Sequence, residues 1–363
     1  MKNRPTGTAG RCFGSSSAPA TKPAPSLDGS SVSEKDKDPR PSRLLKMRGQ
    51  RKASMSGKLE QTIWDCAVIG GGPAGLTAAI YLARYHLSVT VFDDNTSRAA
   101  MIPISHNHAG FPDGISGPEL LARMRAQAQR YGASIRGRKI TGVQKDHGLF
   151  TLQCDRGTSF ARTVLMATGV LNHRPSMLPA AHDEAVARGL LRYCPVCDGF
   201  EVSDKPVGVL GSGTKGFSEA KFLRSYTRDV TLLAPDGEHQ LADAEQRDLE
   251  GLGVKVEDGP VISIALGADT ITVATAARSF AFASLYPALG SDIRSDLAKS
   301  AGARVSDEGC IDVDSHQRTS VPGFYAAGDV VIGLDQISHA MGQAGVAATS
   351  IRNDLCEIEA LVR

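Results

Sequence analysis

An α/β protein built on two copies of one strand, glycine turn and helix unit is what this sequence predicts, and three observations carry the prediction. A short apolar strand, Trp64 to Ile69, runs straight into Gly70-Gly71-Gly72-Pro73-Ala74-Gly75 and then into a helical pattern through Arg84. The same succession returns at Val207 to Leu210, Gly211-Ser212-Gly213-Thr214-Lys215-Gly216 and a helix through about Arg224. The third observation is size: 363 residues is about twice the usual span of one domain.

In the first unit the glycines divide the work. Gly70 permits the tight turn, Gly72 lets backbone approach a pyrophosphate, and Gly75 lets the helix pack closely on the strand, with Pro73 and Ala74 opening the helix whose free N–H groups face the phosphate. The next strand, Ser88 to Phe92, ends in Asp93 at about the 20-residue offset where an acid meets a ribose hydroxyl, with Asp94 as its neighbour. This full context predicts a Rossmann-like dinucleotide site. Ser105 to Gly117 then reads as loop, its His106 and His108 facing solvent or a cofactor, and a helix carrying Leu120, Leu121 and Met124 follows. Thr163 to Met166 makes a buried strand that stops on Ala167-Thr168-Gly169, small residues suited to close approach of a ligand.

Seven cysteines, an odd number, argue against a disulfide framework and for a reducing, cytoplasmic compartment. Cys66, Cys154 and Cys310 read as buried or half-buried residues of no special chemistry. Only Cys194-Pro195-Val196-Cys197 is closely paired, followed at once by Asp198 and Gly199. Structural zinc needs four ligands and no second CxxC or paired His exists, so no metal is expected. A redox pair fits: the spacing lets the sulfurs close a small ring and lowers one thiol's pKa, with Asp198 as the acid or base that handles the proton. Gly211, Gly213, Thr214 and Gly216 then form the second phosphate-binding turn, and Asp229 to Leu233 its second strand.

Charge separates the ends of the chain. The first sixty residues hold 13 Lys and Arg against 5 Asp and Glu, leaving 28 against 34 elsewhere. The mildly acidic body offers no basic face to nucleic acid, and no apolar run approaches the roughly 18 residues of a membrane span. Residues 1–60, rich in Ser, Pro, Gly, Lys and Arg, read as a disordered basic tail: either a natural extension or a start upstream of an initiator at Met47 or Met55. Acids within it such as Asp28, Glu34, Asp36 and Asp38 do not suit a transit peptide, and no apolar stretch follows Lys2 and Arg4 as a secretory signal requires.

From Asp65 to Leu355 the chain resembles the low-molecular-weight thioredoxin reductases among the FAD-dependent pyridine nucleotide disulfide oxidoreductases. The marks are GGGPAG at Gly70 to Gly75, GFPDGISGPEL from Gly110, ATG at Ala167 to Gly169, CPVCDG at Cys194 to Gly199, and TSVPGFYAAGDV from Thr319 to Val330. The resemblance implies two Rossmann-like domains, the second inserted into the first: an FAD domain at 61–172 and 291–363, and a nicotinamide-type domain carrying CxxC at 173–290. It places Asp329, after Gly328, at the flavin's ribityl and phosphate region, and Gln336 and Ile337 over the isoalloxazine at a helix N-terminus. It implies a homodimer in which NADPH or NADH reduces FAD. Electrons then pass to the Cys194–Cys197 disulfide by way of Cys197, and Cys194 attacks the disulfide of thioredoxin or a similar protein.

Three positions depart from the family pattern. Where NADPH-using members carry a His-Arg-Arg cluster, this sequence reads Ala234-Pro235-Asp236, leaving NADPH, NADH and another donor open. The flavin-contacting Gly-Gly-Gln-Leu is replaced by Ser97-Arg98-Ala99-Ala100, which offers Arg98 to the flavin or its phosphates. Asp335-Gln336-Ile337-Ser338-His339 replaces Arg-Gln-Ala and brings His339 near the flavin. These departures also resemble the small-molecule dithiol oxidases of the same fold, and members reduced by ferredoxin or another flavoprotein.

Overall fold

A computed structural model describes residues 62–362; the predicted basic tail lies outside them. The chain runs β1 (Ile63–Ile69), α1 (Pro73–Arg84), β2 (Val89–Phe92), α2 (Gly117–Arg130), β3 (Ser134–Arg136), β4 (Ile140–Asp146), β5 (Leu149–Cys154), β6 (Gly157–Met166) and β7 (Val170–Asn172). Then come α3 (Pro179–Ala187), α4 (Pro195–Asp198), β8 (Val207–Leu210), α5 (Gly213–Leu223), β9 (Val230–Leu233), α6 (Asp243–Gly251) and β10 (Lys255–Glu257). The remainder is β11 (Val261–Leu266), β12 (Ile271–Thr275), β13 (Ser279–Phe282), β14 (Ser284–Pro287), β15 (Ser291–Ile293), α7 (Asp296–Ser300), β16 (Phe324–Ala326) and α8 (Ile337–Ile358).

The first sheet has the order β3-β2-β1-β6-β5-β4, and β16 also joins β6. β6 pairs with β1 along one edge and, because it is long, with two strands along the other: Gly157 to Ala161 pair antiparallel with β5, while Val164 to Met166 pair parallel with β16. Its buried end, Val164-Leu165-Met166, is the strand predicted from Thr163; the half-exposed start was not legible as strand. A chain segment some 160 residues downstream thereby completes the sheet that begins at β1. Helices α1 and α8 pack on one face through small side chains, Ala78, Ala79, Ala344, Ala347 and Ala348, all fully buried. Alanine at these sites lets the helix axes approach closely while still removing apolar surface from water.

The second sheet, β10-β9-β8-β14, is wholly parallel; β9, β8 and β14 are buried throughout, as a sheet covered on both faces requires, while edge strand β10 reads Lys-Val-Glu. An antiparallel β11-β12-β13 sheet accompanies it. The chain crosses between the sheets twice, at β7 and β15, and these strands pair antiparallel with Asn172 opposite Ser291. We take these crossings as the domain boundaries proposed from sequence. Among the described residues no helix is long and apolar enough to cross a membrane.

Candidate active site

Each glycine turn is set by what its backbone must touch. At Gly70, φ is +110° and a Cβ would strike the carbonyl of Ala167; at Gly75 it would strike the carbonyl of Gly70. Gly75 therefore serves helix–strand packing and does not line the site. The N-terminus of α1 carries no side-chain cap, so its first N–H groups remain available to an anion. A cleft of about 370 Å³ begins at Gly70, Gly72, Pro73, Ala74 and Asp93, passes Ala167, Thr168, Gly169, Gly328, Asp329, Gln336 and Ile337, and ends on Cys194, Cys197 and Asp198. Glycine turn, small-residue strand ends and disulfide thus lie along one continuous surface. Uncapped N–H groups at α1 and again at α8 suit the phosphates and electron-rich ring of FAD, so the residues present fit that group.

Asp93 is buried, with one oxygen accepting from the Asn95 backbone N–H at 3.0 Å and the other from Arg125 at 2.6 Å. Asp329 is paired with Arg98, whose Nη1 lies 3.2 Å from it and 3.0 Å from Asp335. Burial raises the Asp329 carboxyl, and Asp335 raises it further, while Arg98 opposes both. Arg98 was expected to meet the flavin; here its guanidinium is shared between two acids at the cleft wall. His339, expected near the flavin, packs over Gly333, where a Cβ would collide with its Nε2. His106 lines the cleft, and His108 stacks on Phe111.

Cys194 and Cys197 are joined in a disulfide across the short helix α4. Proline at the first position starts that helix, and the N–H groups of Cys197 and Asp198 both donate to the Cys194 carbonyl. Gln336 reaches across from the N-terminus of α8, its Nε2 donating to both sulfurs at 3.2 Å. Asn107 fixes that amide by donating to Gln336 Oε1 at 3.0 Å and to the Val196 carbonyl at 3.3 Å.

Asp198 is held by Tyr286, whose hydroxyl donates at 3.0 Å, and by Arg192 at 3.1 Å. Burial raises its carboxyl, with Arg192 and Tyr286 pulling the other way and Glu201 adding to the rise. Behind it Glu219, on α5, has an oxygen buried without a partner, and its carboxyl is pushed up to about 7, first by burial and then by Asp198. A carboxyl raised on folding from 4.5 contributes stability that is fully present below about 4.5 and is lost as pH rises through about 7, roughly 3 kcal/mol in all. Glu219→Gln is expected to raise the melting temperature by several degrees at pH 8.5 and to change it little at pH 5. A pH-independent effect in thermal unfolding would contradict this.

Of the expected residues, Gly211, Gly213, Thr214 and Gly216 lie away from the cleft, at the turn between β8 and α5. Arg192, Tyr286, Glu201, Glu219 and Asn107 were not anticipated. Arg192 carried a weak signal, two residues before Cys194; Tyr286 stands 88 residues from Asp198 and carried none.

Fold, cleft and disulfide define a flavin-linked disulfide oxidoreductase, and the chain belongs to the pyridine nucleotide-disulphide oxidoreductase family, whose sequence profile matches residues 64–344. The family implies FAD and a pyridine nucleotide. Its relatives include a thioredoxin reductase of Mycolicibacterium smegmatis, 32% identical over 314 residues that cover 80% of this chain and 94% of that protein. Another is a thioredoxin reductase of Streptomyces coelicolor, 33% identical over 277 residues, 73% of this chain and 85% of that one. Among solved structures, thioredoxin reductase from Streptococcus pyogenes matches with a TM-score of 0.75 at 26% identity, covering 81% of this chain and 99% of that one. HlmI matches with a TM-score of 0.75 at 28% identity, covering 85% and 95%.

Proposed function

We propose that this protein is an FAD-dependent thioredoxin-disulfide reductase, working as a homodimer in the reducing cytoplasm with a reduced pyridine nucleotide as donor. The observation that carries the reading is the Gln336 amide, which spans from the cofactor cleft to both sulfurs of Cys194 and Cys197. FAD, when bound, supplies the two-electron chemistry of the site. The glycine turn of α1 and the segment Gly328 to Ile337 would hold it, and the turn of α5 would hold the nicotinamide nucleotide.

The protein's own groups then exchange electrons and protons with the partner. Two electrons and two protons open the Cys194–Cys197 disulfide to two thiols. Asp198 takes the proton of Cys194, whose thiolate attacks one sulfur of the partner disulfide; the other sulfur leaves as a thiolate and takes that proton back. Cys197 displaces the partner from the mixed disulfide, re-forming the Cys194–Cys197 bond, and its proton ends on the second partner thiol. A second reading, oxidation of a small dithiol with electrons leaving to oxygen, is favoured by the absence of a cation fork at Ala234-Pro235-Asp236.

The test is capture of the mixed disulfide. Cys197→Ser should accumulate a dithiothreitol-sensitive covalent complex with a thioredoxin that lacks its own resolving cysteine and carries thionitrobenzoate in disulfide linkage on the remaining one, Cys194 attacking that disulfide and thionitrobenzoate leaving, and Cys194→Ser should not. Capture by neither variant contradicts the thioredoxin reading, and capture by Cys194→Ser alone reverses the assigned roles.

A further inference from the structure

We propose that the second glycine turn takes NADH and rejects NADPH, with Asp236 as the discriminating residue. The inference rests on the reading that a reduced pyridine nucleotide feeds the flavin. Strand register lays the two Rossmann-like units on one another: Ile69 stands opposite Phe92 in the first, and Leu210 opposite Leu233 in the second. Asp93 and Ala234 therefore hold equivalent positions, and each donates its backbone N–H to the next strand, to Arg136 and Glu257 respectively. At the strand end itself the second unit has a buried methyl group where the first has its acid.

Its first charge past the strand is Asp236, exposed and without a hydrogen bond or ion pair among the described residues. The turn that would take the nucleotide is intact. The N-terminus of α5 has no side-chain cap, and Gly216 packs so tightly on Gly211 that a Cβ would press on its backbone. The Gln240 N–H donates to Ser212 Oγ at 2.7 Å, which ties the loop bearing Asp236 to that turn. Glu238 adds a second free carboxylate on the loop, and beside it Asp258, which accepts from the His239 N–H, adds a further negative charge. Arg278, in the turn between β12 and β13, is committed to Glu257.

A 2′-phosphate carries between one and two negative charges and needs a guanidinium fork or lysines to hold it, whereas this loop presents carboxylates. A ribose 2′-hydroxyl is a hydrogen-bond donor, the partner a free carboxylate accepts. Charge and hydrogen-bond sense thus select the same dinucleotide.

The test reads binding alone. Flavin-loaded protein is titrated calorimetrically with ADP-ribose and with 2′-phospho-ADP-ribose, neither of which can transfer a hydride. ADP-ribose should bind at least about tenfold tighter, and Asp236→Arg should erase or invert that preference while flavin absorbance and melting temperature stay unchanged. Equal or tighter binding of the phosphorylated compound overturns the proposal and leaves the pyridine-nucleotide reading in place. A preference for ADP-ribose that survives Asp236→Arg and Asp236→Asn removes Asp236 from the role. Binding of neither, with flavin bleached by dithiothreitol but not by NADH, overturns both in favour of dithiol oxidation.

Discussion

Cys194→Ser and Cys197→Ser should each lower turnover of a thioredoxin-like disulfide by at least about 10³-fold while leaving flavin content intact. Both sulfurs accept from one amide, that of Gln336, and both stand at the end of the cleft that begins at the α1 turn. Serine keeps the size and a hydrogen-bonding atom, so the loss falls on chemistry. Two electrons cannot be stored as a disulfide by one sulfur. Each variant still binds FAD, since neither residue belongs to the glycine turn of α1, and neither completes the dithiol-dependent half of the cycle; they separate in partner capture, which only Cys197→Ser retains. Turnover near the parent rate in either variant would remove the disulfide from the mechanism.

Asp198→Asn should slow the exchange with the partner by about 10² to 10⁴-fold at neutral pH. The carboxyl lies directly after Cys197, takes a hydrogen bond from Tyr286 and pairs with Arg192. Burial raises its proton affinity, while Arg192 and the Tyr286 hydrogen bond lower it. The amide keeps an oxygen for Tyr286 and loses the capacity to carry a proton. The pH profile is the sharper readout. In the parent protein, Glu219 gains charge as pH rises through about 7, and an anion there holds the Asp198 proton more tightly. Exchange should therefore carry a titration near 7 that Glu219→Gln removes and Asp198→Asn flattens. An unchanged profile in both variants, measured by stopped-flow mixing with a disulfide substrate, would exclude Asp198 from proton transfer.

Much of this site was legible because its chemistry is local in sequence. Gly70 to Gly75 sits between a strand and a helix and ends within the span of one turn, and Cys194 to Asp198 occupies one short helix. Such groups announce themselves by spacing. Their supporting partners come from elsewhere in the chain: Asn107 from a loop, Gln336 from the start of α8, Tyr286 from β14, Glu219 from α5. Of these only Gln336 is marked in the sequence, and there as a flavin contact; its bond to the sulfurs, and the parts the others play around the disulfide and Asp198, arise only when the fold brings these elements together. The two halves of β6 show the same limit in the fold. Its buried end has the apolar run of a central strand, while its start, exposed at Gly157 and Thr158, depends on β5 for its identity.

The central claim is that flavin and the Cys194–Cys197 disulfide form one redox chain. An anaerobic titration of the flavin-loaded protein with dithionite, followed by its visible absorbance, tests it most directly. The account predicts uptake of about four electrons per flavin, two for the cofactor and two for the disulfide, falling to about two in Cys194→Ser. Uptake of two electrons in the parent protein, unchanged by the substitution, would contradict it.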